Sequence, residues 1–242
     1  MAVHKFLFVV LVIIIHRIPN RPDLRAQSSC TGNLIREDLV LTAAHCFSNP
    51  ANYILDYVEI RLLSGEVYRV LSIHIHPNYS KVEGFYNDLA IITCTTTELK
   101  TILELPNENY STNKSCKAVG YGGEQSLNSY KVIDIKKNSQ FLFMNGIIHL
   151  LFKQYTPCKG DSGGPLLCEN KIYGILSQGS EELCHQKNVY IIYINVYHHL
   201  HWIQPFFDSP IRSRSSSNIY DKVILMMIIT SIIAYFDYFC FL

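Results

Sequence analysis

Cys158-Lys159-Gly160-Asp161-Ser162-Gly163-Gly164-Pro165-Leu166 places an acid, a serine and flanking glycines behind a cysteine and ahead of a strand-like run, Pro165-Leu166-Leu167-Cys168. Glycines permit a tight backbone path that a side chain would block. Such a path can aim two backbone N–H groups at one point in front of the Ser162 hydroxyl, as an oxyanion hole requires. Gly, Asp, Ser and Pro are also ordinary turn residues. The choice between a surface turn and a nucleophile loop therefore rests on the rest of the chain.

A serine hydroxyl is a poor nucleophile until a base takes its proton. Leu41-Thr42-Ala43-Ala44-His45-Cys46 offers that base: an apolar run leads to His45, and Cys46 can pin the backbone beside it. A base needs an acid to set its tautomer and stabilise its charged form. Asn87-Asp88-Leu89-Ala90-Ile91-Ile92 puts one aspartate at the mouth of an apolar strand, where it can be buried against imidazole. A lone histidine is more often structural, and most aspartates at strand starts are turn formers. What sets these three apart is their company and their chain order, His, Asp, Ser.

At these points the sequence resembles the trypsin/chymotrypsin family of serine endopeptidases. The resemblance is carried by LTAAHC at 41–46, NDLAII at 87–92 and CKGDSGGPL at 158–166, with lesser matches at His76-Pro77-Asn78-Tyr79 and Gly120-Tyr121-Gly122. It covers roughly residues 30–206. The implied fold is all-β and chymotrypsin-like: two antiparallel β-barrels of the six-stranded type, over about 30–114 and 115–206, with a closing C-terminal helix. The implied roles are His45 as base and then acid, Asp88 as its orienter, and Ser162 as nucleophile, with the N–H groups of Gly160 and Ser162 holding the oxyanion. The resemblance also implies the disulfides Cys30–Cys46, Cys116–Cys168 and Cys158–Cys184, no cofactor and no metal. Its partners would be polypeptide substrates and protein inhibitors.

By the same resemblance, Thr156 forms the floor of the primary specificity pocket, with walls from Ser177, Gln178, Gly179 and the segment around Asn188. Thr156 stands where an aspartate would select Arg and Lys. A basic side chain would be buried there unpaired, at high cost, so the expected P1 preference is uncharged.

The residues speak for an all-β fold on their own. Runs such as Tyr57–Leu63, Tyr68–Ile75, Leu89–Thr93, Ser115–Gly120, Lys131–Ile135, Ile172–Ser177 and Val189–Ile194 are rich in β-branched and aromatic residues, with Gly, Asn, Pro and Ser between them. Tyr197–Ile203 has helical spacing, and His198, His199 and His201 read there as a solvated face rather than a metal set. A net charge of +1 gives no electrostatic pull toward nucleic acid. No internal repeat and no glycine-rich phosphate loop is present.

The ends read differently. Residues 1–16 carry a basic spot, His4-Lys5, then an apolar run from Phe6 to Ile15, the pattern of a signal peptide or signal anchor; a buried strand is the competing reading. Residues 207–222 form a polar linker. Residues 223–242 are an apolar tail, broken by Asp237, that suits a GPI signal or a membrane span. Sequons at Asn78, Asn109 and Asn113 are acceptors if the chain is secreted or held at the cell surface. Of eight cysteines, Cys94 is left for the core and Cys240 for the tail.

The resemblance fails at one place. The family is activated by a cut before an Ile-Val-Gly-Gly-like start, whose ammonium pairs with the aspartate beside the nucleophile, here Asp161. No such start is present; Arg17-Ile18-Pro19-Asn20 comes nearest, 12 residues before Cys30. The first strand of the N-terminal barrel also reads as missing. An unpaired Asp161 is expected to turn outward or protonate, leaving a weak or inactive site. A non-catalytic homologue that binds through the same cleft is therefore the alternative to a working endopeptidase. An esterase with a similar triad would place Ser ahead of His.

Overall fold

The computed structural model describes residues 6–48, 53–80, 86–97, 99, 102–111, 113–123, 129–135, 141–144, 146–152, 157–178 and 188–211. Among the described residues, thirteen strands and one α-helix build one compact unit, Met1–Ser209. The first barrel is closed. It comprises β1 (Val9–Ile18), β2 (Arg21–Arg36), β3 (Leu39–Thr42), β4 (Ile54–Arg61), β5 (Val67–Ile75) and β6 (Ala90–Cys94), in the order β1-β2-β3-β6-β5-β4.

Its closure corrects the expectation of a missing first strand. The apolar run assigned to a leader is β1 here. It pairs with β2 from Val9↔Asn33 to Ile18↔Arg21 and with β4 from Leu11↔Arg61 to Arg17↔Ile54, which joins the barrel's two ends. Every residue from Val9 to His16 is buried. A strand buried on both faces loses the polar/apolar alternation that marks a half-buried one, so its sequence looks like a leader's core. Gly32 lets β2 approach it: a Cβ there would lie 2.6 Å from Val40 Cγ1 and 2.9 Å from Val12 Cγ2. Arg17 and Ile18, the nearest thing to an activation start, lie in the β1–β2 hairpin, where Arg17 also meets Asp56 at 3.2 Å.

The second barrel is an open, curled sheet of seven strands rather than a closed one. Its members are β7 (Cys116–Gly120), β8 (Lys131–Ile135), β9 (Phe141–Met144), β10 (Ile147–Phe152), β11 (Pro165–Cys168), β12 (Lys171–Gln178) and β13 (Val189–Asn195), ordered β8-β7-β11-β12-β13-β10-β9. Ile148, Leu150, Leu166, Tyr173, Ile191 and Tyr193 fill its core.

After β13 a 3-10 turn, Tyr197–His199, leads into α1 (Leu200–Asp208). Ile203 buries the helix against the first barrel's core. Arg36 caps its C-terminal carbonyls, donating to Phe206 and Phe207 at 2.9 Å and to Ser209 at 3.0 Å, while its Nε holds Asp38 at 2.5 Å. The expectation of a solvated histidine face is half corrected. His198 and His201 are exposed, but His199 is buried, because the helix approaches the barrel on that side. Among the described residues no helix is long and apolar enough to cross a membrane. The tail at 223–242 and the linker beyond Ile211 lie outside the described residues.

Candidate active site

His45 sits in a 3-10 turn, Ala44–Phe47, at the end of β3. Asp88 sits just before β6, the neighbour of β3 in the barrel. Strand pairing therefore brings the two together, with Thr42↔Ala90 as the last rung beneath them. Asp88 is fully buried and uses both oxygens: Oδ1 accepts from the His45 backbone N–H at 2.7 Å, and Oδ2 lies 2.7 Å from His45 Nδ1. A buried carboxylate so placed fixes which imidazole nitrogen carries the proton and stabilises the charged ring. Oδ2 also accepts from Ser177 Oγ at 2.5 Å. Ser177 was expected in a pocket wall. Its hydroxyl also serves Asp88 from the second sheet, a link the linear sequence does not reveal.

Ser162 lies on the turn between Cys158 and β11, half-buried. Three connections dock this turn onto the first barrel. The Thr31 N–H donates to the Ser162 C=O at 2.8 Å, Thr31 Oγ1 donates to the Gly160 C=O at 2.8 Å, and Asn33 Nδ2 donates to the Gly163 C=O at 2.7 Å. Asn33 Nδ2 also holds the Leu41 C=O at 2.9 Å, and Thr42 Oγ1 holds the Thr31 C=O at 2.8 Å. Thr31, Asn33 and Thr42 are fully buried. The same β2–β3 pair thus carries the His45 turn at its end and grips the Ser162 turn along its side.

Two glycines are required by this fit. A Cβ at Gly163 would fall 2.2 Å from Thr42 Oγ1 and 2.3 Å from the Thr31 C=O, and Gly163 has φ +81°. Gly160 has φ +97°, the left-handed region that glycine alone enters freely. The Cys30–Cys46 disulfide ties β2 to the residue after His45. These two sulfurs and His45 lie within 4.8 Å of one another, but sulfurs bonded to each other are not thiolate ligands for a metal.

Asp161 does not turn outward. It is 6 % exposed, and its oxygens accept from the N–H groups of Gly122 and Cys158, both at 2.7 Å. Gly120 and Gly122 leave the room: a Cβ on either would lie within 2.5 Å of an Asp161 side-chain atom. Burial pushes its carboxyl upward, against the opposing pull of the two amides and of Lys131. Among the described residues no cation lies within ion-pair distance of it. Asp161 borders a small cleft with Lys131, Pro157, Leu176 and Tyr193.

The second expected disulfide, Cys116–Cys168, is present, and Cys158 is also disulfide-bonded. Its expected partner Cys184 lies outside the described residues. Cys94 is a buried free thiol, pushed up to about 12 by desolvation. Of the expected pocket, Gln178 ends β12 and Asn188 precedes β13, the paired neighbour of β12; Asn188 is exposed with φ 61°. Thr156 and Gly179 lie outside the described residues.

A model described as trypsin matches residues 16–203. Trypsin-4 of Rattus norvegicus is 29 % identical over 213 residues, covering 78 % of this chain and 85 % of the relative. Granzyme E of Mus musculus is 26 % identical over 198 residues, covering 72 % and 77 %. Among solved structures, neuropsin, a serine protease of mouse brain, has a TM-score of 0.66 at 20 % identity, over 86 % of this chain and 97 % of its own.

Proposed function

From the premise that the chain belongs to the trypsin family, we propose that it is a serine endopeptidase that cleaves peptide bonds through an acyl-enzyme on Ser162. The observation that carries this reading is the buried Asp88 carboxylate, 2.7 Å from His45 Nδ1, beside a Ser162 turn gripped by the same two strands. His45 takes the Ser162 proton as the hydroxyl attacks the scissile carbonyl and returns it to the leaving amine. Asp88 holds the ring and faces the charge that forms on it. The N–H groups of Gly160 and Ser162 receive the oxyanion; losing one such donor typically costs about 10²–10³ in rate. Water then repeats the attack and frees Ser162.

On this reading the primary pocket, with Thr156 at its floor and Ser177, Gln178, Gly179 and Asn188 in its walls, takes an uncharged P1 side chain. The reading includes secretion, which the sequons at Asn78, Asn109 and Asn113 and the disulfide-bonded cysteines suit.

A second reading, a homologue that binds polypeptides without cleaving them, is favoured by one observation. Asp161 is held by backbone amides rather than by a cation among the described residues. A fluorophosphonate probe separates the two. Labelling of the folded protein that disappears in Ser162→Ala supports the enzyme; its absence from folded protein supports the binder. A peptide panel varied at P1 follows, and a strong preference for Arg or Lys would defeat the pocket reading.

A further inference from the structure

Behind the Asp88 turn lies a group of side chains with no part in the chemistry above. Asn87 has φ 54°, a left-handed conformation that its short amide tolerates better than most residues. Its C=O accepts from the Leu89 N–H at 2.7 Å, so Asp88 stands at the apex of a three-residue turn. The Asn87 side chain is held at both ends. Nδ2 donates to the Asn78 C=O at 2.9 Å, and Oδ1 lies 2.9 Å from His199 Nε2. The other nitrogen of that ring, Nδ1, lies 2.9 Å from the Asn195 C=O at the end of β13. His199 is 2 % exposed, with His76 edge-on at 5.3 Å and Trp202 packed behind His76 at 4.8 Å. One imidazole therefore spans from the second sheet to the turn that presents Asp88.

We propose that His199 is a positioning residue for Asp88: its imidazole braces the Asn87 amide and so holds the left-handed turn that aims the carboxylate at His45. This rests on the reading of His45, Asp88 and Ser162 as a triad. A backbone in the left-handed region persists only where its surroundings over-determine it. Here the amide bonded at both ends does so. Asp88 has both oxygens committed at 2.5–2.7 Å, to His45 and to Ser177, so a small rotation of the turn is felt directly in those bonds. The groups facing the ring are Asn195 from β13, Asn87 from the turn, His76 from beyond β5, and His198 and His201 from its own helical segment. Burial keeps the ring neutral, so the brace is a hydrogen bond and not a charge. Asn87 Oδ1 and the Asn195 C=O both only accept, and a neutral ring has one N–H to give; the brace assigns that proton to Nε2 and leaves Nδ1 bare toward Asn195.

The test uses the full chain with ¹⁵N-labelled histidine, as wild type, His199→Phe and His199→Gln, each also with Asn87→Gly. The expected wild-type tautomer of His199 is Nε2–H. His199→Phe should move the His45 Nδ1 proton resonance, which reports the bond to Asp88, and lower kcat about tenfold with KM little changed. His199→Gln keeps a donor and should recover most of both. With Asn87→Gly, where glycine takes the same φ without an amide, His199→Phe should add nothing. An Nδ1–H tautomer overturns the proposal. So does a His199→Phe variant that loses thermal stability while the His45 resonance stays in place. A wild type that resists the fluorophosphonate sinks the triad chemistry, yet the His45 resonance still decides the role of His199.

Discussion

His199 also gives the molecule a pH dependence that can be read from one side chain. Burial, against the favourable Asn195 carbonyl, holds its imidazole down to about 4, whereas the unfolded chain returns it to an ordinary value near 6.5. Between those values the unfolded state binds the proton and the folded state does not. Stability is therefore fully present above about pH 6.5 and falls as the pH drops toward 4, by up to about 3 kcal/mol. Asp161 acts in the opposite sense. Its raised carboxyl costs nothing once protonated, and that cost appears as the pH rises through its folded value. The expected outcome is a difference: urea midpoints from pH 7 to pH 4 should fall further in the wild type than in His199→Phe. Equal slopes would show that His199 is accessible to protons in the folded state. His199 was misread from sequence because three neighbouring histidines look alike in a string. Only the approach of the helix to the barrel separates the buried one from the exposed pair.

Strand β1 poses the same difficulty one level up. An apolar run of this length beside a basic spot suits a leader and a strand buried on both faces equally well. The structure spends it on closing the first barrel, with Ile14 fully buried between Ser28 of β2 and Val58 of β4. Truncating it should then leave a cavity. Ile14→Ala is expected to cost about 2–5 kcal/mol in chemical denaturation of the purified protein. A mature protein unchanged in stability, with an N-terminus found beyond residue 18 by mass spectrometry, would return the run to the leader reading. The flanking elements were more legible. Tyr68–Ile75 and Val189–Ile194 carry the β-branched and aromatic content of strands, and β5 and β13 lie where those runs are. β9 and β10 went unread although Asn145-Gly146 is a hairpin-turn dipeptide, since Phe141–Met144 and Ile147–Phe152 on either side of it are apolar but for His149 and offer no alternation.

Across the whole molecule the site is a seam. His45 and Asp88 belong to the closed barrel and Ser162 to the open sheet, and the seam is stitched by the buried polar residues Thr31, Asn33 and Thr42. Asn33 bridges both sides with one amide nitrogen, at 2.9 Å to the Leu41 C=O and 2.7 Å to the Gly163 C=O. Asn33→Ala strands two buried carbonyls, each costing about 1–3 kcal/mol. Unfolding free energy should fall accordingly, and kcat/KM should drop about tenfold or more beyond any loss of folded protein. An unchanged kcat/KM would mean that the seam does not set the distance between base and nucleophile. By itself the sequence determined the family and the all-β class and singled out His45, Asp88 and Ser162 as candidates, because these reside in short contiguous motifs; the bridges Cys30–Cys46 and Cys116–Cys168 came only from the family resemblance. Only the tertiary structure decided that residues 9–18 close a barrel, that Asp161 stays inside on two amides, that Ser177 serves Asp88 and that His199 is buried. Each of those depends on what lies opposite a side chain across a sheet or a seam, and neighbours along the chain carry no record of it.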